Sequence, residues 1–255
     1  INLTPYSIWL ATVVVSGISY LSYLLKRYVF HESGTLVSGI IGGLYSSTAT
    51  ISVLARKSRK ASEQEATDYV AAMLLAVSMM FLRFMILILI FSREIFLSIY
   101  PYLLTMAVVA AIVAWFIHSR QKRPEDQSAE TEEDDSSNPL EFKVALIFAV
   151  LFVIFTFLTH YTLVYAGTGG LNLLSFVSGF SDITPFILNL LQNTGSVAAL
   201  IITACSMQAI ISNIMVNMFY ALFFAGKGSK LRPWILGGFG VVIVCNLVLL
   251  LFFYI

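Results

Sequence analysis

The chain has 255 residues, of which 58% are hydrophobic and only 11% are charged, and its mean hydropathy is +0.87. This composition excludes an ordinary soluble domain, and the apolar runs are too long for the alternating strands of an outer-membrane barrel. A formal net charge of +1 offers no basic surface for nucleic acid. The sequence therefore predicts a helical protein that crosses a lipid bilayer several times.

Six apolar runs are long enough to span a bilayer, which takes about 20 helical residues. They are Tyr6–Leu25, Asp68–Phe91, Phe96–Ile117, Lys143–Val164, Ser196–Ala225 and Trp234–Ile255. The chain begins without Met and without a basic segment, so we expect no signal peptide.

Two further apolar stretches, Gly34–Ala55 and Gly169–Leu191, are interrupted by polar residues at their centres. Small residues occupy three matching places in them: Gly39 with Ser175, Gly42 with Ser178, and Gly43 with Gly179. Polar sequence that interrupts a helix at membrane depth is costly unless it lines a cavity or packs inside protein. A paired occurrence in two halves of a chain is the best sequence indication of a transporter's binding site.

One segment, 119–142, is clearly soluble, because it carries eight of the fourteen acidic residues together with Ser and Pro. Such a composition cannot form a packed core and predicts a flexible linker. The linker divides the chain into membrane repeats 1–118 and 143–255, each ordered as span, broken segment, span, span. In this alignment Arg83 matches Asn213, and both are polar residues within a span.

The distribution of basic residues favours one topology. If all eight segments crossed the membrane, the basic residues outside the spans would divide eight to six. If each broken segment instead enters and leaves on one face, thirteen lie on one side and only Arg93 on the other, as the positive-inside rule predicts. We therefore expect two inverted repeats, each with three transmembrane helices and one re-entrant hairpin, 34–56 or 169–192. The predicted location is a prokaryotic inner membrane, with the linker cytoplasmic and both termini outside.

Two ionisable residues lie deep in apolar sequence. Asp182 predicts cation or proton binding at the second hairpin's tip, although Asp182-Ile-Thr-Pro185 also suits the start of a helix. Arg83 is interpreted as the partner of Asp182 in a gating or structural ion pair. The alternative is that Arg83 contacts an anionic substrate directly.

The remaining candidate residues for binding a solute or ion carry hydroxyl or amide groups near the same depth. They are Ser46, Ser47, Thr48, Thr50, Ser181, Thr184, Asn213 and Asn217. For each the alternative is hydrogen bonding within or between helices. Because no HExxH, GxSxG or phosphate-binding glycine loop occurs, we expect neither an enzyme, a cofactor nor a metal site.

The string GGLYSSTATISVLARKSRK at residues 42–60 resembles a bacterial and archaeal membrane family, as do Met80-Phe-Leu-Arg83, Asn138-Pro139-Leu140-Glu141 and Ser178-Gly179-Phe-Ser-Asp182. The family is catalogued as domain of unknown function four thousand and ten, and it commonly follows an MgtC/SapB domain. That neighbour implies ion or magnesium homeostasis. The family usually has a second acidic residue two places after the Asp, but here Thr184 stands there, which argues against a two-carboxylate cation site.

These features lead to two functional hypotheses. The first is a secondary transporter or channel for a small ion or polar solute, with its site near the midplane between the hairpin tips. The second is a non-transporting regulator or assembly partner in ion homeostasis. Partners other than lipid, such as an MgtC/SapB-type domain or further copies of the chain, stay open.

Overall fold

The structure, a computed structural model, describes residues 4–29, 34–59, 61, 63–120, 142–192, 197–226, 229 and 231–254. The eight α-helices of these ranges are α1 (Pro5–Leu24), α2 (Thr35–Lys57), α3 (Glu63–Phe91), α4 (Arg93–Ser119), α5 (Phe142–Ser178), α6 (Ile183–Gln192), α7 (Ala199–Ala225) and α8 (Arg232–Tyr254). A π-helical turn, Leu25–Val29, extends α1. The predicted linker 119–142 falls almost wholly outside the described residues, as do Lys60, Lys227 and Lys230.

The predicted all-α membrane architecture is confirmed. Among the helices of the described ranges, seven are long and apolar enough to cross a membrane, and α6 is a shorter apolar helix. Helix α4 shows how they are patterned: Leu103, Met106 and Ala110 are buried, whereas Leu104 and Val108 are exposed. Because exposed apolar side chains on a helix of this length are stable against lipid rather than water, the chain is a multi-pass membrane protein.

Helices α3 and α7 form the centre of the molecule, since they bury more of their length than the other long helices. Polar side chains on them are satisfied between helices rather than by lipid. For example, Ser78 Oγ of α3 donates to the carbonyl oxygen of Ala107 at 2.8 Å. At the periphery of the core, Tyr102 Oη of α4 donates to Asn246 Oδ1 of α8 at 2.5 Å.

Helix α2 is broken at Ser46, whose φ of −158° and ψ of 109° are extended. The two arms that flank the break, 35–45 and 47–57, fold against each other, because a Cβ atom on Gly42 would overlap the side chain of Thr50. In an uninterrupted helix, residues eight apart lie about 12 Å apart along the axis. The chain therefore reverses direction at Ser46.

The packing of α2 on α3 agrees with this reversal. A Cβ on Gly39 would overlap the carbonyl oxygen of Ala72, and a Cβ on Gly43 would lie 2.5 Å from Cα of Ala76. Both contacts advance by four residues on each helix, so the first arm runs parallel to α3. The second arm, which precedes α3 after a short connection, must then run antiparallel to it.

The second half repeats the pattern with different residues. Helix α5 has 37 residues, about 55 Å at 1.5 Å per residue, which is longer than a bilayer core. It bends at Gly167, whose φ of 59° and ψ of −149° favour glycine strongly over any residue with a side chain. The segment 168–178 is the first arm, the turn 179–182 is the second break, and α6 is the second arm.

This first arm also packs parallel to the long helix that follows. Ser175 Oγ donates to Oε1 of Gln208 at 2.9 Å, and Cys205 Sγ donates to Oδ1 of Asn172 at 3.4 Å. In both pairs the two residues are 33 positions apart in the sequence. Gly39 and Ala72 in the first half have the same separation. In both halves, a residue of the first arm thus contacts the residue 33 positions later in the long helix that follows.

Contacts between the halves fix the relative direction of α3 and α7. Arg59, which follows α2 and precedes α3, donates from Nε to the carbonyl oxygen of Phe224 and from Nη2 to that of Phe223 at 3.3 Å. The guanidinium of Arg56 lies 4.3 Å from the centroid of the Phe224 ring. The beginning of α3 and the end of α7 therefore lie at the same end of the molecule, and the two helices run antiparallel.

Candidate functional site

The first break exposes the carbonyl end of one arm and the amide end of the next, because a helix leaves its terminal groups without internal partners. Ser46 Oγ accepts a hydrogen bond from the backbone N–H of Ala49 at 3.3 Å, so the residue at the break caps the second arm. On the carbonyl side, Arg83 Nη1 donates to the carbonyl oxygen of Tyr45 at 2.6 Å. A cation at the carbonyl end of a helix is favoured by the helix dipole.

The second break has the same two features. Asn213 Nδ2 of α7 donates to the carbonyl oxygen of Gly179 at 3.2 Å. Asp182 Oδ1 accepts from the backbone N–H of Thr184 at 2.9 Å, and Pro185 lies in the first turn of α6. Asp182 therefore has the helix-capping geometry that its sequence context suggested. This geometry is compatible with binding an ion, since its other carboxylate oxygen is not needed for the cap.

The turn at Gly179 requires a close approach of two backbones. A Cβ atom on Gly179 would overlap the side chain of Ser212 and lie 2.8 Å from the backbone nitrogen of Asn213. Ser212 Oγ donates in turn to the carbonyl oxygen of Phe176 at 2.7 Å. Helix α7 thus holds the end of the first arm through two adjacent polar side chains.

Arg83 is the central charged group of the site. Its side chain is only 8% exposed, and it interacts electrostatically with Asp182, which is itself exposed. The carboxylate of Asp182 and the guanidinium of Arg83 are not within the 4 Å of a contact ion pair, and a gating or structural ion pair between them stays a prediction. Nε of Arg83 is buried and has no hydrogen-bond partner.

Asn213 and Asn217 lie on one face of α7, as their spacing predicted, and are joined by a hydrogen bond from Asn217 Nδ2 to Asn213 Oδ1 at 3.1 Å. Both residues are buried. Because Asn213 also donates to Gly179, the three groups form a chain that ends at Asn217 Oδ1, a buried acceptor without a partner. The two amides therefore contribute to interhelical bonding and leave one polar atom available.

The other predicted residues differ in their accessibility. Ser47 and Thr184 are buried, and Thr48 and Thr50 are partly buried. Ser181 is exposed, and its Oγ donates to the carbonyl oxygen of Ser178 at 3.1 Å. The structure thus brings Ser46, Arg83, Asn213 and Asp182 to the two breaks, with the remaining hydroxyls around them.

Sequence reasoning did not identify which backbone carbonyls the breaks leave open, those of Tyr45 and Gly179, although a polar residue near mid-span on the following helix is a usable signal for each. It also missed a buried pair in the second half: Asn189 Nδ2 of α6 donates to Thr156 Oγ1 of α5 at 2.6 Å. Within the described ranges, no three residues among His, Cys, Asp and Glu are grouped so that they could hold a metal ion.

Comparisons with known proteins identify relatives but no activity. The sequence profile of a family described as domain of unknown function (DUF4010) matches residues 13–225. An uncharacterized protein of Aquifex aeolicus (strain VF5) is 25% identical over 227 residues, which cover 87% of this chain and 96% of the relative. No solved structure matches the chain.

Proposed function

This chain belongs to the DUF4010 family, and we propose that it is a secondary transporter or channel for a small ion or polar solute. Its two repeats are inverted in the membrane, and each contributes three spans and one re-entrant hairpin. The solute binds where the two hairpin tips meet. The observation that carries this proposal is the shared construction of the two breaks: in each, a polar side chain of the following long helix donates to a carbonyl oxygen, and a side chain at the break caps the second arm.

The re-entrant character of the first hairpin is supported by the positions of its two ends. Thr35, the first residue of α2, lies beside Tyr69 near the beginning of α3. Lys57, its last residue, also leads directly into α3. Because both ends lie near the start of one spanning helix, α2 enters and leaves on the same face.

The inverted relation between the repeats is supported by the antiparallel directions of corresponding helices. Helices α3 and α7 follow the two hairpins and run in opposite directions, as the contacts of Arg59 with the end of α7 require. Helix α8 likewise begins beside the end of α4, since a Cβ on Gly238 would lie 3.1 Å from Cδ1 of Ile117. The two hairpins therefore enter from opposite faces.

The energetic cost of this arrangement supports a transport role. Two helix breaks, a guanidinium and a carboxylate at membrane depth cost several kcal/mol unless they are held by protein or line a polar cavity. Arg83 and Asn213 satisfy the carbonyl ends, whereas Asp182 stays exposed. Broken helices whose ends meet near the midplane are the usual binding sites of secondary transporters.

The proposal is tested by flux into liposomes that contain the purified protein. The probes are small cations, small anions and neutral polar solutes, each added separately, and protein-dependent uptake of at least one is expected. Asp182→Asn is expected to reduce this uptake at least tenfold, while the protein still elutes as a single species, because asparagine also caps helices.

A thiol-blocking experiment locates the path. In a variant with Cys205→Ser and Cys245→Ala, a cysteine at Ser181 is treated with a membrane-impermeant sulfonate reagent, and uptake is expected to stop. The matched control is Tyr165→Cys, an 81% exposed position before the bend at Gly167, where modification leaves uptake unchanged. If no probe is taken up, the regulator hypothesis replaces transport; if modified Ser181→Cys protein still transports, the path does not pass the second break.

A further inference from the structure

The guanidinium of Arg83 presents one unused edge. Nη1 is bonded to the carbonyl oxygen of Tyr45, and Nε is buried without a hydrogen-bond partner. Nε and Nη2 form the side-on edge of the planar guanidinium, which matches the two oxygens of a carboxylate or phosphate. Arg83 is 8% exposed. This edge, whose Nε has no acceptor, is therefore held mostly buried at the first break.

At each break, one carbonyl oxygen that could bind a bare cation already accepts a hydrogen bond. At each break the free carbonyl oxygen is the natural ligand for Na⁺ or K⁺. Here the carbonyl of Tyr45 is taken by Arg83 and that of Gly179 by Asn213. Asp182 supplies a carboxylate, but one of its oxygens is used to cap α6.

The amide ends of the second arms favour negative charge. The arm 47–57 and the ten-residue helix α6 both begin at the breaks, and the N-terminal end of a helix carries a partial positive charge. Together with the buried guanidinium of Arg83, the start of the arm 47–57 gives the first break a positive character. The exposed Asp182 attracts Arg83 from the side of the second break.

Resting on the proposed function, we infer that the transported solute carries an oxyanion, a carboxylate or a phosphate, which binds the Nε–Nη2 edge of Arg83. In the empty site, Asp182 compensates the charge of Arg83 at longer range. When the oxyanion binds, it balances the charge of Arg83 at hydrogen-bonding distance. Arg83 is thus a binding residue, and Asp182 opposes anion binding electrostatically while it supports the turnover of the empty carrier.

The test measures ligand binding rather than flux, so that it is separate from the test of transport. The purified protein in detergent is titrated with potassium acetate, potassium phosphate, potassium chloride, sodium chloride and magnesium chloride at constant ionic strength, and the midpoint of thermal unfolding is followed. Acetate and phosphate represent the two oxyanion classes, and chloride is a control for nonspecific anion effects. Four forms are compared: wild type, Arg83→Lys, Arg83→Gln and Asp182→Asn.

We expect acetate or phosphate, but not the chloride salts, to raise the unfolding midpoint of the wild type in a saturable manner. Arg83→Gln weakens this binding at least tenfold, and Arg83→Lys weakens it less because the charge is kept. Asp182→Asn leaves oxyanion binding unchanged or tightens it up to tenfold. Since Asp182 is exposed and asparagine preserves the cap, this variant keeps the test decisive if Arg83→Gln does not fold.

The opposite pattern overturns the inference. Saturable stabilisation by K⁺ or Mg²⁺ that Asp182→Asn abolishes identifies a cation site and leaves the proposed transport function intact. Absence of oxyanion binding to the wild type also overturns the inference. Oxyanion binding without any flux in liposomes supports the site assignment while it refutes transport.

Discussion

Replacing Gly39 or Gly43 by alanine tests how the first arm of α2 packs on α3. A Cβ on Gly39 would overlap the backbone of Ala72, and one on Gly43 would meet the backbone of Ala76, so neither contact is relieved by turning a side chain. Overpacking of this kind costs about 1–3 kcal/mol. Alanine in a helix interior otherwise gains about 0.5–1 kcal/mol over glycine. We therefore expect a net loss of up to about 2.5 kcal/mol for each substitution, combining these two effects.

The matched control is Gly17→Ala in the interior of α1, where no other atom lies within 4 Å of the added Cβ. There only the gain of about 0.5–1 kcal/mol applies. Reversible unfolding in mixed micelles measures the stability of the Gly39→Ala and Gly43→Ala variants and of the Gly17→Ala control. The substitutions at Gly39 and Gly43 both strain the same contact between the first arm and α3. The double variant should therefore lose less stability than the sum of the losses in the two single variants. If either substitution stabilises the protein as much as Gly17→Ala does, the parallel packing of the arm on α3 is refuted.

Three other substitutions probe the fold at separate places. Both Gly167 and Gly169 have open space around them, so alanine at either position meets no neighbouring atom. Gly167→Ala should destabilise the protein by about 1–3 kcal/mol through the backbone conformation alone, whereas Gly169→Ala should not. Thermal unfolding distinguishes the two variants. Tyr102→Phe leaves the buried Oδ1 of Asn246 without its donor and should cost about 1–3 kcal/mol, measured in the same unfolding assay. Arg59→Gln removes two donors from the end of α7 and should increase amide hydrogen exchange there; unchanged exchange would contradict that contact.

The spanning helices could be predicted from the sequence because the membrane imposes a length and a composition on them. The run Asp68–Phe91, for example, became α3 with the same C-terminal residue, but α3 begins earlier, at Glu63. The polar residues before Asp68 extend the helix beyond the apolar run, and hydropathy does not detect such an extension. For the same reason α4 begins at Arg93 rather than at Phe96.

Both breaks were also predictable, because small residues followed by hydroxyl or carboxylate groups favour local hydrogen bonds over helix continuation. The bend at Gly167 falls between the predicted span Lys143–Val164 and the predicted broken segment Gly169–Leu191, where the sequence Gly167-Thr-Gly-Gly170 predicts a turn. Which atoms the breaks would expose, and which side chains would satisfy them, depends on packing between distant segments. Sequence periodicity contains no information on such contacts.

Arg83 and Asn213 show what sequence alignment can and cannot deliver. The alignment matched them, and in the structure each donates to the carbonyl at its own break. Their backbone positions differ, however: Asn213 follows directly after Ser212, which contacts Gly179, whereas Arg83 lies about two turns beyond Ala76, which contacts Gly43. The long arginine side chain reaches back towards the N-terminal end of its helix, the direction that helical side chains take.

The most direct test of the central claim, two hairpins that enter from opposite faces, is the accessibility of single cysteines in intact cells. In a variant with Cys205→Ser and Cys245→Ala, cysteines are placed at Thr35 and Lys57, and in separate variants at Thr168 and Gln192. The account predicts that the first two are labelled only from the cytoplasm and the last two only from outside. Labelling of Thr35→Cys and Lys57→Cys from opposite sides would mean that α2 crosses the membrane, and would contradict the account.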